Sequence, residues 1–248
     1  PVKCNFIPKG LKGETKSQIR EIAHNLNIDE DRAKKIMLSS IDPSAWTELM
    51  FGFDDKTQSP ESQDEAWYLR WYQKHSLRCS SQRLCLRMGR RSGKSSSIVW
   101  KLIWYIFNHK VFAGYDSKGE RQYRGPEIAV ITPFTSQVKG IFHELEKFLR
   151  KNKDLEKEVN GRGGRLYTQT PPLKMEFKNG AIITGYVSGA SAKDDDTGGG
   201  IIRGTNADII YMDEMDMIPD SILQSVILPL LITRPNVVLI GASTPIGK

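Results

Sequence analysis

Short apolar runs alternate along most of the chain with longer stretches in which apolar residues recur at helical spacing. Residues 95–110 are apolar enough to predict a buried helix, and residues 136–152 place their apolar side chains on one helical face. Six short runs predict buried strands: residues 83–88, 127–133, 173–177, 181–187, 208–214 and 236–244. Because strands that alternate with helices build parallel sheets, we predict an α/β fold with a mainly parallel central sheet flanked by helices.

The N-terminal part of the chain has a different pattern, with short amphipathic helices and a polar stretch. One predicted helix begins at a capping box of Thr15 and Gln18, and a second begins near Asp29. Two short helices joined by a tight turn are typical both of helix-turn-helix motifs and of hairpins that only pack. We predict a helical segment with its linker over residues 1–60 and the main domain over residues 61–248.

Composition narrows the class of protein. The 248 residues are 39% hydrophobic and 26% charged, which is ordinary for a globular protein. No apolar run approaches the roughly 18 residues of a membrane span, and the N-terminus lacks the apolar segment of a secretory signal. We therefore expect a soluble, intracellular protein without a membrane partner.

Charge and the scarcity of metal ligands narrow the chemistry further. The net charge of +7 favours a polyanionic partner such as DNA, although charge alone identifies none. The three cysteines form no CxxC pair, and the four histidines are scattered without ligand spacing. A disulfide framework and a zinc site are therefore both disfavoured.

The octapeptide MGRRSGKS, residues 88–95, lies between a predicted strand and a predicted helix. It matches the phosphate-binding pattern GxxxxGK[ST], except that Met88 replaces the first glycine. Such a turn offers backbone N–H groups to phosphate oxygens, while Lys94 can bind the β- and γ-phosphates and Ser95 can bind Mg²⁺. Taken alone, the octapeptide fits a basic turn from strand to helix equally well.

A second element is DIIYMDE, residues 208–214, in which a buried strand carries two carboxylates to its C-terminal end. Ligands of open α/β sheets bind at that end. Asp213 can hold Mg²⁺ directly or through water, and Glu214 can orient and deprotonate an attacking water. The pair favours hydrolysis over transfer to a bound acceptor, as in a metabolite kinase. An acidic pair that only caps a helix is the alternative.

A third element is GASTPIGK, residues 241–248, which follows an apolar strand. If this strand lies beside the other two, Ser243 and Thr244 come near the γ-phosphate, where loss of that phosphate would be sensed. A strand that simply ends in a proline turn would have the same pattern.

In this order, the motifs resemble those of the large terminase subunit, the DNA-packaging motor of tailed bacteriophages. That family often has an arginine-bearing phosphate loop, as in MGRRSGKS, and an RG…D…DE arrangement, which IIRGTNADIIYMDE resembles at residues 201–214. LRWYQ resembles the family's adenine motif at Tyr72 and Gln73, and GASTP resembles its coupling motif. The likeness begins near Asp42, in DPSAWTELMFG, and runs to the end of the chain.

The resemblance implies a P-loop ATPase of the ASCE type, in which the catalytic glutamate lies on an added strand. It implies a nucleotide-binding loop made of Arg90, Arg91, Ser92, Gly93, Lys94, Ser95 and Ser96. By the same resemblance, Lys94 and Ser95 bind phosphate and Mg²⁺. Asp213 then supports the metal, and Glu214 is the catalytic carboxylate.

The resemblance also assigns roles outside the phosphate loop. Tyr72 and Gln73 would contact the adenine of ATP, and Ser243 and Thr244 would couple hydrolysis to motion. Arg203 would reach the nucleotide of a neighbouring subunit, where an arginine finger is worth about 10³ to 10⁵ in rate.

Each of the arginines keeps an alternative role. For Arg203 it is a salt bridge within the chain to the acidic run at residues 194–196. Arg90 or Arg91 either senses the γ-phosphate or contacts solvent or DNA.

The expected function is ATP hydrolysis that drives double-stranded DNA into a procapsid in the host cytoplasm, with contacts to the DNA backbone. The resemblance implies a portal protein, a small terminase subunit and a homo-oligomeric ring as partners. The family's C-terminal nuclease domain has no counterpart in the chain, so we expect no DNA cleavage. A helicase-like or other nucleic-acid-remodelling ATPase and a nucleotide-dependent DNA-binding switch are the alternatives.

Overall fold

The computed structural model describes residues 13–39, 41–53, 69–161, 163–188 and 206–245 of the chain. The chain divides into two compact units, residues 1–80 and residues 81–248. The domain boundary predicted at residue 60 falls outside the described residues, so the predicted domain limits stay a prediction. Within the described ranges, no helix is both long and apolar enough to cross a membrane.

The first unit is helical: α1 (Gly13–Leu26), α2 (Glu30–Ser39), α3 (Pro43–Phe51) and α4 (Trp71–Arg78). Asp42 caps α3, since its carboxylate accepts a hydrogen bond from the backbone N–H of Ser44 at 2.8 Å. Arg78 lies 2.8 Å from the same carboxylate and so connects α4 to α3. Burial raises the pKa of Asp42, but Arg78 and Ser44 outweigh it and hold that pKa below its ordinary value.

The described residues of the second unit form eight strands: β1 (Arg83–Arg87), β2 (Val111–Tyr115), β3 (Arg121–Arg124), β4 (Glu127–Thr132), β5 (Leu173–Glu176), β6 (Ile182–Val187), β7 (Ile209–Asp213) and β8 (Val238–Ser243). Six of them form one sheet in the order β1-β8-β7-β4-β6-β5, in which only the edge strand β5 pairs antiparallel. Parallel pairing brings the C-terminal ends of β1, β8, β7 and β4 to one edge of the sheet. This is the edge at which open α/β sheets bind ligands.

Helices connect the strands of the second unit. They are α5 (Lys94–Asn108), α6 (Thr135–Lys151), α7 (Lys153–Lys157), α8 (Asp220–Ile222) and α9 (Leu228–Thr233), with a 3₁₀ turn at Met215–Met217 and a π-helical segment at Leu223–Ile227. On one face of the sheet, Ile218, Val226 and Ile227 pack in a buried cluster with Ile210 and Met212.

A glycine of β6 fixes how closely α6 approaches the sheet. A Cβ at Gly185 would overlap Cγ1 of Val138 and would lie 2.9 Å from Cε2 of Phe142, both on α6. Val138 and Phe142 are buried, as are Leu145 and Leu149 on the following turns. The apolar stripe of α6 therefore lies directly on β6, and any side chain at residue 185 would push the helix outwards.

The α/β fold class and the six predicted strands are confirmed, with strand limits that differ by one or two residues. The separate hairpin of β2 and β3 has no counterpart among the predicted elements. Its Phe112, Tyr115 and Tyr123 are half exposed or more, and Phe112 contacts both tyrosines edge to face. A hairpin with so little buried surface lacks the apolar alternation from which a strand is predicted.

Candidate active site

The loop from Met88 to Gly93 leads from the end of β1 into α5, which begins at Lys94. Gly93 has a φ of 77°, in the left-handed region that suits glycine, and Arg91 has a φ of 58°, which a residue with a side chain seldom adopts. The backbone N–H of Met88 donates to the carbonyl oxygen of Ser243 at 3.1 Å. The loop is thus tied to β8 at its start and turns tightly into a helix N-terminus, where free N–H groups can receive an anion.

Lys94 is buried at the centre of the site, among oxygen atoms of three residues. Its Nζ lies 2.7 Å from Oε1 of Glu214 and 3.6 Å from Oδ1 of Asp213. The same ammonium group donates to Oγ1 of Thr244 at 3.2 Å. Only 8% of the Lys94 side chain is exposed, and a lone ammonium in such a place would be costly. The carboxylates therefore compensate the buried cation.

Glu214 links the end of β7 to the end of β8. Its Oε2 accepts a hydrogen bond from the backbone N–H of Thr244 at 3.0 Å, and its Oε1 accepts one from the Thr244 hydroxyl at 3.0 Å. Burial raises the pKa of Glu214, but the hydrogen bonds from Lys94 and Thr244 outweigh it and hold that pKa below its ordinary value. The backbone of Glu214 has a φ of 46°, so a residue with a side chain is held in the left-handed region here.

Asp213 ends β7 and is oriented by a tyrosine of the same strand. The hydroxyl of Tyr211 donates to Oδ1 of Asp213 at 2.8 Å, and both side chains are buried. Burial and the neighbouring Asp213 carboxylate raise the pKa of Tyr211 well above its ordinary value. The phenol therefore remains a hydrogen-bond donor at neutral pH and fixes the orientation of the Asp213 carboxylate.

A cleft of about 610 Å³ lies over these groups. Its lining comes from residues 89–96 of the phosphate loop and first turn of α5, from the strand ends at Asp213, Glu214 and Thr244, and from α6. The volume suits a nucleotide-sized ligand. Ser95 and Asp213 offer hydroxyl and carboxylate oxygens, the ligands that Mg²⁺ prefers alongside water and substrate phosphates.

The part of the cleft that the structure describes contains no larger metal-binding cluster. Among the described residues, no group of three or more histidine, cysteine, aspartate or glutamate side chains is placed to hold a metal ion. Two protein oxygens together with phosphate oxygens and water still fit Mg²⁺, which is seldom held by protein ligands alone.

Solved structures share this architecture, whereas no family model and no curated protein matches the sequence. The large terminase ATPase domain of Thermus phage P74-26 is similar with a TM-score of 0.53 and 21% identity, over 84% of this chain and 71% of that chain. The large terminase of bacteriophage HK97 is similar with a TM-score of 0.50 and 14% identity, over 79% of this chain and 37% of that chain. The chain has the fold of a phage large terminase ATPase domain.

Within this terminase ATPase fold, the cleft collects most of the residues that the sequence singled out. Nine of them line it: Arg90, Arg91, Ser92, Gly93, Lys94, Ser95, Ser96, Asp213 and Glu214. Thr244 lines it as well, and Ser243 is buried beside it at the end of β8. Their roles in binding ATP and Mg²⁺ stay a prediction, which the geometry of the terminase fold accommodates.

Three predicted site residues do not lie among the cleft residues described above. Tyr72 and Gln73 belong to α4 of the first unit, where Oε1 of Gln73 accepts a hydrogen bond from the backbone N–H of Arg70 at 2.9 Å. Gln73 therefore caps its own helix in this structure. Arg203 lies outside the described residues, as does the acidic run at 194–196.

The sequence analysis missed one wall of the cleft. Gln137, Gly140, Ile141, His143 and Glu144 of α6 line it together with the phosphate loop. Four of these residues follow the spacing i, i+3, i+4, i+7, which marks one side of a helix. The signal present in the sequence was a glutamine and a glycine beside the apolar stripe, directly after a strand that ends at the ligand-binding edge.

Proposed function

We propose that this chain hydrolyses ATP as the motor domain of a viral terminase large subunit and moves double-stranded DNA into a procapsid. The observation that carries the proposal is the meeting of Lys94, Glu214 and Thr244, which follow three different strands, around one cleft. A lysine at a phosphate loop and a carboxylate at a neighbouring strand end supply what phosphoryl transfer to water requires. The likeness in fold to phage large terminases supports the motor assignment.

The triphosphate of ATP would bind at the N-terminus of α5. A γ-phosphate near Lys94 would compete with Glu214 for the ammonium group, which lies 2.7 Å from Oε1 of Glu214. Ser95 and Asp213 would hold Mg²⁺, which neutralises phosphate charge when bound. Arg90 or Arg91, which line the same cleft, would contact the γ-phosphate.

Glu214 would act as the general base. A bond forms between the water oxygen and the γ-phosphorus, the bond to the bridging oxygen of ADP breaks, and a proton of the water passes to Glu214. Lys94 and Thr244 hold the pKa of Glu214 low, so the carboxylate is ionised at neutral pH. Transfer of the Lys94 hydrogen bond to phosphate would raise that pKa and make Glu214 a stronger base at the time it is needed.

The end of β8 would couple hydrolysis to motion. Thr244 holds Glu214 through both its backbone N–H and its hydroxyl, and the carbonyl of Ser243 holds the phosphate loop at Met88. A change in the position of Glu214 or of the loop therefore acts directly on the same strand end. Because β8 lies between β1 and β7, such a shift would pass into the centre of the sheet.

The remaining roles rest on the resemblance. Tyr72 and Gln73 would contact adenine, and since Oε1 of Gln73 is engaged with Arg70, the contact would use its Nε2. Arg203 would reach a neighbouring subunit's nucleotide in a homo-oligomeric ring. The proposed domains are a helical segment with its linker over residues 1–60 and an ATPase domain over residues 61–248.

The proposed partners follow from the motor role. They are the backbone of double-stranded DNA, a portal protein and a small terminase subunit, met in the host cytoplasm. A translocating motor tolerates any sequence, so DNA contacts would go to phosphates and would weaken steeply with salt.

The experiment is steady-state ATP hydrolysis by the purified chain over a range of protein concentrations, with and without double-stranded DNA, beside Glu214→Ala. The proposal predicts turnover that rises faster than linearly with protein concentration and is lost in Glu214→Ala. ATP binding without turnover under every condition would instead favour a nucleotide-dependent DNA-binding switch. DNA binding that is sequence-specific and insensitive to salt would contradict the motor assignment.

A further inference from the structure

One side chain of the cleft is left with an unexplained buried oxygen. Oε1 of Gln137, in the first turn of α6, is buried and makes no hydrogen bond with any described residue. Buried polar atoms in folded proteins are nearly always hydrogen-bonded, and the exceptions are often functional. Because Gln137 lines the cleft, a rotation of its carboxamide would bring this oxygen to a molecule bound there.

The sheet brings Gln137 and Glu214 to the same edge, because they follow the neighbouring strands β4 and β7. β4 and β7 are parallel neighbours, with Ile131 opposite Met212, so Thr132 and Asp213 end their strands at the same edge. Glu214 follows β7 by one residue, and Gln137 lies in the helical turn that follows β4. The strand order β1-β8-β7-β4 then places Glu214 between the phosphate loop and Gln137 along that edge.

The position of Gln137 is fixed by the packing around it. The hydroxyl of Thr132 donates to the carbonyl oxygen of Phe134 at 2.9 Å, which braces the turn between β4 and α6. Val138, the next residue, is buried against Gly185 of β6. The backbone that carries the carboxamide therefore has little freedom, as a residue that positions a ligand requires.

We propose that Gln137 positions the attacking water together with Glu214. Its carboxamide oxygen accepts one hydrogen bond from the water, while Glu214 takes the proton that leaves. Hydrolysis needs a water in line with the γ-phosphorus. Lys94 and the loop would bind phosphate, and Glu214 would accept one proton of the water, so a second contact is needed to fix the direction of attack. The inference rests on the proposed ATPase function and adds the residue that orients its nucleophile.

The test compares three substitutions by equilibrium ATP binding and by single-turnover hydrolysis. Gln137→Met keeps the size of the side chain and removes both polar groups. Gln137→Glu keeps an acceptor and removes the donor. Ser136→Ala changes the exposed neighbour in the same turn of α6 and serves as the control, with melting temperatures confirming that each variant is folded.

The proposal predicts that Gln137→Met lowers the hydrolysis rate about 10–100-fold, an effect typical of a misplaced reactant, and leaves the Kd for ATP within about twofold. Gln137→Glu should recover part of that rate, and Ser136→Ala should match the wild type. A weakened Kd with an unchanged rate would overturn the proposal. So would a Gln137→Glu variant slower than Gln137→Met, since that order indicates a donor contact to phosphate.

The outcome also separates this inference from the function on which it rests. A wild type that binds no ATP would overturn both. Wild-type turnover that Gln137→Met leaves unchanged would overturn the role of Gln137 alone.

Discussion

The two halves of the central sheet differ in the side chains that they carry. In the site half, β1, β8 and β7 end at a buried lysine, two carboxylates and a threonine that share hydrogen bonds. In the packing half, β4, β6 and β5 carry buried apolar residues such as Val130, Ile183 and Met175 on the face that α6 covers. One half of the sheet thus ends in a group of polar side chains that contact one another, and the other half is an apolar, closely packed core.

The difference between the halves explains where unfavourable local structure is tolerated. Arg91 and Glu214, both in the site half, have positive φ angles, and Lys94 is a buried cation. Such features persist only where the surrounding structure determines them. The packing half supplies this support, because α6 rests on β6 at Gly185 without room for a methyl group. Variants at the strand ends of the first half should therefore change activity, whereas variants of the buried strand residues of the second half should change stability alone.

The largest expected effect belongs to Lys94→Ala. Removal of the ammonium takes away the proposed phosphate ligand and leaves two carboxylates without their cation, so ATP affinity should fall on the order of 10²-fold or more. Stability at pH 7 should fall on the order of 3 kcal/mol, because uncompensated buried charges remain. Isothermal titration with ATP and thermal melting measure both. Lys139→Ala, at an exposed lysine of α6, is the control. Equal ATP affinity and equal melting temperature of the two variants would contradict the proposed role of Lys94.

Met175→Ala tests the packing half away from the cleft. Met175 is fully buried on β5, and such truncations cost about 2–5 kcal/mol through lost contacts and a cavity. ATP hydrolysis per folded molecule should stay within about twofold of the wild type. Denaturant unfolding gives the stability, with the exposed Lys178→Ala as the control. If Met175→Ala lowered turnover without lowering stability, the claim that the two halves of the sheet have different roles would be wrong.

Gly185→Ala should destabilise by about 1–3 kcal/mol, because the added methyl group overlaps Val138 and Phe142 of α6. Gly140→Ala is the matched control, since a Cβ at Gly140 meets no atom within 4 Å. In a helix this second change should stabilise by about 0.5–1 kcal/mol. Opposite shifts of the two melting temperatures support the close approach of α6 to β6, and equal shifts would contradict it.

Tyr211→Phe should have a smaller effect, about 1 kcal/mol of stability, because it deletes one hydrogen bond to the buried Asp213. The measurement that matters is the Mg²⁺ concentration for half-maximal ATP hydrolysis. This concentration should rise, since Tyr211 fixes the carboxylate proposed to hold the metal. An unchanged Mg²⁺ concentration for half-maximal hydrolysis would show that Tyr211 does not affect metal binding.

The smallest expected effect is a dependence on pH. The pKa of Glu214 is lower in the folded protein than in the unfolded chain, so its hydrogen bonds to Lys94 and Thr244 stabilise the fold above the ordinary carboxyl pKa. That contribution is lost as the pH falls through the lowered pKa of the folded state. The melting temperatures of wild type and Glu214→Gln should therefore converge as the pH falls from neutral to below the ordinary carboxyl pKa. A gap that widens on acidification would contradict the direction of the shift.

Much of the sheet could be predicted from the sequence because buried parallel strands are short, continuous apolar runs. The strand at Ile209–Asp213 is apolar up to the aspartate, so its position could be predicted, while the role of its end stays a prediction. The β2–β3 hairpin could not be predicted, because most of its residues are exposed on both strands. Without a buried face, no alternation of polar and apolar residues arises.

The geometry of the candidate site was predictable only in part, because some of its contacts join residues that are far apart in the chain. Lys94 and Glu214 belong to motifs whose chemistry is visible from residue type and order. The positive φ of Glu214 and its two bonds from Thr244 depend on strands brought together by pairing, 30 residues apart in the chain. Gln137 carries no motif at all, and its burial in the cleft follows from how Gly185 seats α6 on the sheet.

The central claim is that Lys94 exchanges Glu214 for a phosphate of ATP and so frees Glu214 to activate water. Its most direct test is the Kd for Mg·ATP and the single-turnover hydrolysis rate of Glu214→Gln, measured beside the wild type. The account predicts that the variant binds ATP as tightly as the wild type or more tightly, since the Glu214 carboxylate no longer competes for Lys94, while hydrolysis slows by about 10²-fold or more. Weaker ATP binding by Glu214→Gln, or hydrolysis at the wild-type rate, would contradict the account.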